Sequence, residues 1–260
     1  MNTIRTHMGA AALALAGILP AAAQQPGPDV LAQPSFKAIA QDLSPAEGLE
    51  FAAHANLVLR QYERAIPMYE ALLKDAPNRP TLWAALAMAY NRAGDPREAH
   101  DAANIAITLA PHYPHFYAER GVAAFLLGRH ADAVADLHHY LKAFPQSANA
   151  HFYLGLAQAA RGEAEPAQAS LMRARRLNPE LRLSTDYYLG LVAAERGQTG
   201  ASRELLSRTQ RAFEGELPIS ELAAAQLQAV DDAVARRIRA SVHESDARAA
   251  PLPALASQGR

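Results

Sequence analysis

Glu47, Glu50 and His54 stand three and seven residues apart, a spacing that puts two carboxylates and an imidazole on one helix face. Such a group can in principle exchange protons with a substrate, but charged side chains at helical spacing are ordinarily a solvated face, and that is the reading adopted. The sequence holds 10 His, of which His112, His115, His130, His138, His139 and His151 lie close together. Neutral imidazoles ligate transition metals, so a His-mediated metal site is the alternative. Against it, His138 and His139 are adjacent and diverge by about 100° around a helix, and no two His stand at i, i+4. The chain has no Cys, which excludes disulfides, thiolate metal sites, a Cys nucleophile and lipid attachment as a lipoprotein. It also lacks a phosphate-cradling Gly loop, an H-E-x-x-H pair and a Gly-x-Ser-x-Gly elbow. These absences point to a non-enzymatic protein that needs no cofactor.

Composition narrows the partners. Lys+Arg at 25 against Asp+Glu at 26 leaves no basic excess to neutralise phosphates, so nucleic acid is not an expected ligand. At the start of the chain Arg5 precedes an apolar run from Met8 to Leu19, followed by Pro20-Ala21-Ala22-Ala23. That run is too short for the roughly 20 residues that span a bilayer, and Ala21-x-Ala23 suits a signal peptidase. Residues 1–23 are therefore read as a secretory signal cleaved after Ala23, with an uncleaved anchor as the alternative. No later stretch is apolar enough to cross a membrane. Lys is confined to Lys37, Lys74 and Lys142 among many Arg and Ala, a bias of GC-rich bacterial genomes. Together these place the mature protein in the periplasm or outside the cell.

The elements that must position any site are set by an internal period. Pro77, Pro111, Pro145 and Pro179 fall 34 residues apart, and Ala65, Ala99, Ala133 and Ala167 keep the same spacing. Gly94, Gly128 and Gly162 repeat it a third time, with Arg60 where the first unit's Gly would stand. Apolar residues recur at helical spacing on both sides of each Gly, so each unit is a helix, a turn and a helix closed by Pro. Pro67, two residues after Ala65, is expected to disturb the first turn of its helix. A helix pair cannot bury its apolar face alone, so neighbouring pairs must stack.

Trp83, Leu86, Ala87, Tyr90, Gly94, Ala99, Ala106 and Pro111 resemble the tetratricopeptide repeat (TPR) signature, as do Leu154, Gly155, Gly162, Ala167, Ala174 and Pro179. The resemblance implies an all-α fold, a right-handed α-solenoid of stacked helix-turn-helix units. The expected organisation is a signal peptide over 1–23, a linker and short lead-in helix over 24–45, and about five repeats over 46–214. Those repeats cover 46–79, 80–113, 114–147, 148–181 and 183–214. From Pro218 to Val242 Ile219, Leu222, Gln226, Val230, Val234 and Ile238 share a face, which predicts a capping helix over 215–243 before a disordered tail over 244–260. Dimerisation through that face is the alternative.

The TPR resemblance also implies a site. In such arrays the first helices line a concave groove, and the groove positions carried over include Glu50, His54, Met88, Arg92, Glu119, Phe125, Phe152, Tyr153 and Tyr187. Glu47, Glu50, Glu119 and Glu195 against Arg92 make this face acidic, and its C-terminal half is aromatic. Phe152 and Tyr153 are placed in the groove because adjacent helix positions are not expected both to face the core. Arg175, on a second helix, is expected to face away from it. TPR domains that clamp acidic chaperone tails use Lys, Arg and Asn where this chain has Glu50 and His54, so a carboxylate terminus is not expected to bind. The expected partner is an apolar or basic protein segment, and the expected role is an exported scaffold in envelope assembly, secretion or exopolysaccharide export. An accessory subunit of a periplasmic enzyme complex is the runner-up.

Overall fold

In the computed structural model of this chain the described residues are 43–212. The expected signal peptide, most of the linker, the capping helix and the tail lie outside them. Pro45, Pro80, Pro96 and Pro114 each open a helix at its first turn, where the missing N–H costs nothing and the fixed φ suits the helix. The helices are α1 (Pro45–Val58), α2 (Tyr62–Asp75), α3 (Pro80–Ala93), α4 (Pro96–Leu109), α5 (Pro114–Leu126), α6 (His130–Ala143), α7 (Ala148–Ala160), α8 (Ala164–Leu177), α9 (Arg182–Glu195) and α10 (Thr199–Ala212). A single 3-10 turn, Pro179–Leu181, precedes α9 and accommodates the extra residue that lengthens this unit. Helix α2 continues through Pro67, at the cost of the one backbone bond that a proline cannot donate.

Every helix packs on its predecessor and its successor, and the first helices of successive pairs also touch from α3 through α5 and α7 to α9. That pattern is a stacked array of antiparallel helix pairs, and the described residues include no strand. The tight turn inside each pair needs a left-handed residue. Gly94, Gly128, Gly162 and Gly197 supply it with φ between 74° and 94°, and in the first pair Arg60 takes the same place at φ 60°. Close approach of the two helices depends on small residues at the crossing: Ala65, Ala99, Ala133 and Ala167 are all fully buried. A Cβ at Gly155 would lie 2.7 Å from Leu171 Cγ and 3.1 Å from its backbone nitrogen, so α7 and α8 meet almost backbone to backbone.

A recurring hydrogen bond joins the second, third and fourth pairs to the loop that precedes them. Six residues after a repeat proline, Trp83 Nε1 donates to the Pro77 carbonyl at 2.8 Å and Tyr117 Oη to the Pro111 carbonyl at 3.0 Å. His151 Nε2 meets the Pro145 carbonyl at 3.1 Å, which requires the tautomer protonated at that nitrogen. Ion pairs within and between pairs include Arg120, bidentate on Asp136 through two 2.7 Å bonds. The fully buried Asp186 of α9 accepts from Arg175 at 2.6 Å and Arg208 at 3.1 Å.

Candidate protein-binding groove

The N-terminal half of the concave face holds a cavity of about 560 Å³ between α1, α3, α5 and α7. Its walls are largely apolar, formed by Ala84, Ala85, Met88 and Val122, with His54, Arg92, His115 and Glu119 among its polar lining. Met88 is 37% exposed, and the groove positions one unit on, Glu119 and Val122, remain half-buried. Bordering the cavity, Asn91, only 1% exposed, donates through Nδ2 to the Glu119 carbonyl at 2.9 Å and to its carboxylate at 3.0 Å. Burial pushes the Glu119 carboxyl up, opposed by the charge of Arg92, the Asn91 hydrogen bond and His115. Asn91 and Tyr153 border the cavity, but Asn91 Oδ1 and Tyr153 Oη are themselves fully buried and have no hydrogen-bond partner among the described residues.

Five of the sequence-derived groove residues therefore gather around one cavity: His54, Met88, Arg92, Glu119 and Tyr153. The other four do not line it. Phe125, Phe152 and Tyr187 are buried in the core, with Phe125 edge-on to Tyr153 at 6.0 Å, Phe152 edge-on to Tyr188 at 5.8 Å, and Tyr187 edge-on to Tyr188 at 5.1 Å. The premise that Phe152 and Tyr153 cannot both be buried fails, because every residue of α7 from Phe152 to Ala160 is buried. Adjacent positions about 100° apart both fall inside a covered arc when a helix is packed on most of its circumference. Desolvation raises the Tyr153 phenol to about 12 and holds the Tyr187 and Tyr188 phenols above their usual range.

The acidic character of the face is also reduced. Glu50 of α1 is held by Arg79, the residue that precedes α3, through a bidentate pair at 2.7 and 2.9 Å. Glu47 caps its own helix, accepting from the Ser44 backbone N–H at 2.9 Å while its N–H donates to Ser44 Oγ. His54 Nδ1 bonds the Glu50 carbonyl at 3.0 Å, so the Glu47, Glu50 and His54 group is committed to local structure. Arg175, expected to face away from the groove, pairs with the buried Asp186 and so has a structural role. The clustered imidazoles face rings: His115 lies 4.4 Å from Phe144, and His139 4.1 Å from Tyr117. Burial lowers the His151 pKa below its ordinary value, and among the described residues no three His, Asp or Glu converge on a metal position. Sequence reasoning missed the lock made by Trp83, Tyr117 and His151. Its signal was legible, since all three stand 34 residues apart and six after a repeat proline.

Stacked antiparallel helix pairs with a left-handed turn in each and a cavity on the concave side define an α-solenoid interaction module. The tetratricopeptide repeat family model matches residues 52–114, 84–137 and 119–180, so this part of the chain is made of TPR units. No curated protein matches the sequence. Among solved structures, residues 41 to the end of MamA from Desulfovibrio magneticus RS-1 superpose with a TM-score of 0.56 at 18% identity, covering 66% of this chain and 97% of that one. TTC0263, a thermophilic TPR protein of Thermus thermophilus, gives 0.55 at 20% identity over 70% and 99% of the two chains. YrrB, described as a TPR protein with an unusual peptide-binding site, gives 0.54 at 18% identity over 75% and 99%. At these identities the likeness is one of fold. TPR arrays of this kind are scaffolds for protein–protein interaction, and among the described residues no helix is long and apolar enough to cross a membrane.

Proposed function

We propose that this protein is an exported, non-catalytic TPR scaffold that captures another protein by seating one of its segments in the concave cavity between α1, α3, α5 and α7. The observation that carries the reading is the cavity itself: about 560 Å³ of largely apolar wall with a few polar side chains, a size and character typical of ligand sites. An apolar or basic segment fits the walls and Glu119. The signal-like residues 1–23 support export, and an exported scaffold suits envelope assembly, secretion or exopolysaccharide export.

The test is capture of partners from a periplasmic extract by the mature protein and by Met88→Glu, which places a charge on the cavity wall. Wild type should retain partners that Met88→Glu loses at an unchanged melting midpoint. Retention of the same partners by Met88→Glu places docking elsewhere. Intact-mass measurement of periplasmic protein should show a chain starting at Gln24, and recovery of Met1 in a membrane fraction refutes export by cleavage.

A further inference from the structure

The edge of the array that carries the turns inside the pairs has a notch of about 340 Å³ where the second and third pairs meet. Arg97, His100 and Asp101 of α4 line it together with Leu127 and Arg129 from the turn before α6, and none of them lines the concave cavity. A chain of hydrogen bonds fixes which nitrogen of His100 carries the proton. Arg120, clamped on Asp136, donates through Nη1 to Asn104 Oδ1 at 2.9 Å, so the other end of that amide, Nδ2, is the one that meets His100 Nδ1 at 3.0 Å. An amide nitrogen only donates, so Nδ1 accepts and the neutral ring carries its proton on Nε2. That Nε2 lies 3.4 Å from Arg129 Nη1. A donor therefore faces a donor, with the Arg97 guanidinium lining the same notch.

Two periods on, the same place is self-complementary. Positions 97 and 100 become Glu165 and Gln168, and Arg196, beside the turn glycine of the fifth pair, meets Glu165 at 3.2 Å and donates to Gln168 Oε1. There a guanidinium from the following pair finds a carboxylate and an amide oxygen on the second helix of the pair before it. At the earlier boundary Arg129 finds a guanidinium and an N–H. Arg129 is also the N-cap of α6, the position held by Asp95 in α4 and Glu163 in α8, and the macrodipole opposes a cation at that end of a helix. Neither Arg97 nor Arg129 pairs with a carboxylate among the described residues, and the one carboxylate of the lining, Asp101, is turned out, with 82% of its side chain exposed.

We propose that this notch is a second docking site, which takes the carboxylate of an Asp or Glu side chain on the surface of a partner protein, accepting from Arg97, Arg129 and His100 Nε2. Two guanidiniums less one carboxylate leave one positive charge beside a neutral imidazole. A single carboxylate balances that charge, whereas a phosphate group with about −1.5 to −2 overshoots it. A free acid gains little at so open a place, so the carboxylate arrives on a larger surface whose apolar neighbours can rest on Leu127. The site is separate from the concave cavity, and either can fail without the other.

The test is an NMR titration of the 15N-labelled mature chain, read at the ring nitrogens of His100 and the guanidinium of Arg129. The probes are a capped peptide with a central Leu-Glu-Glu-Leu, its Gln counterpart, sodium acetate and inorganic phosphate. Before any addition, the spectra should place the neutral ring's proton on Nε2. The Glu peptide should then saturate, at about fivefold or more higher affinity than the other three probes, and Arg97→Gln and Arg129→Gln should each weaken it about threefold to tenfold. Arg97→Glu, which copies Glu165, should abolish peptide binding. It should also raise the melting midpoint by about 1 to 3 °C, a gain that shrinks in the Arg129→Gln background because the new carboxylate pairs with Arg129. A ring proton on Nδ1 overturns the proposal, as does equal binding of the Gln peptide or no saturation by about 10 mM Glu peptide. Tighter binding of phosphate than of the Glu peptide overturns the assignment to a carboxylate. Full affinity in Arg97→Glu shows that the peptide sits elsewhere.

Discussion

Replacing Arg60 with glycine should stabilise this protein, against the usual direction of substitution. Arg60 occupies the turn position held by glycine in the other four pairs, at φ 60° where they have 74° to 94°. A side chain in the left-handed region costs about 1 to 2 kcal/mol through its Cβ. The Arg60 side chain is exposed, and the turn is closed by backbone bonds, Arg60 N–H to the Leu57 carbonyl at 3.1 Å and Gln61 N–H to the Asn56 carbonyl at 2.8 Å. Glycine keeps both bonds. The gain is offset by the extra freedom that glycine gives the unfolded chain, about 0.4 to 1 kcal/mol. The net expectation is a stabilisation of up to about 1.6 kcal/mol, centred near 0.8 kcal/mol, which is a rise of roughly 2 to 3 °C in the melting midpoint for an array of this size. Chemical denaturation and calorimetry read it directly. Arg60→Ala, which retains the Cβ, should be close to neutral, and Gly94→Ala should lose about 1 kcal/mol or more, because φ 94° lies further from what a side chain tolerates. A fall in the midpoint for Arg60→Gly, or a costless Gly94→Ala, refutes the argument that the turn residue is selected by backbone sterics.

Gly155→Ala should cost about 1 to 3 kcal/mol by overpacking, since its Cβ would meet Leu171 Cγ at 2.7 Å, and adding it to Leu171→Ala, which removes that Cγ, should cost less than adding it to wild type, as read by denaturant titration of the double-variant cycle. His151 has its pKa lowered by burial, so the folded state resists a proton that the unfolded chain accepts. Its contribution is present above the unfolded pKa of about 6.5 and is lost as pH falls below it. His151→Tyr, the residue type that makes the same bond at position 117, should flatten the stability profile as pH falls below about 6.5, and an unchanged profile would remove His151 as its cause.

The helix pairs were legible without a structure because their determinants are local. Proline after each second helix, glycine in a left-handed turn and alanine at a crossing each act within a few residues, and a 34-residue period repeats them until chance is excluded. The same locality exposed Arg60 as the position out of register. The concave surface was legible only in part. His54, Met88, Arg92, Glu119 and Tyr153 follow from the period and do meet at one cavity. Phe125, Phe152 and Tyr187 follow from the same period and are core, because burial depends on what covers a helix and not on its own spacing. Partnership is likewise a tertiary matter. Glu50 looks like a free acid until Arg79, 29 residues on, is brought beside it, and Arg175 looks idle until α9 delivers Asp186. A pattern of period 34 states which residues are equivalent. Only the stacking of one unit on the next decides which of those equivalents are paired, covered or left on an open wall, as Met88 is.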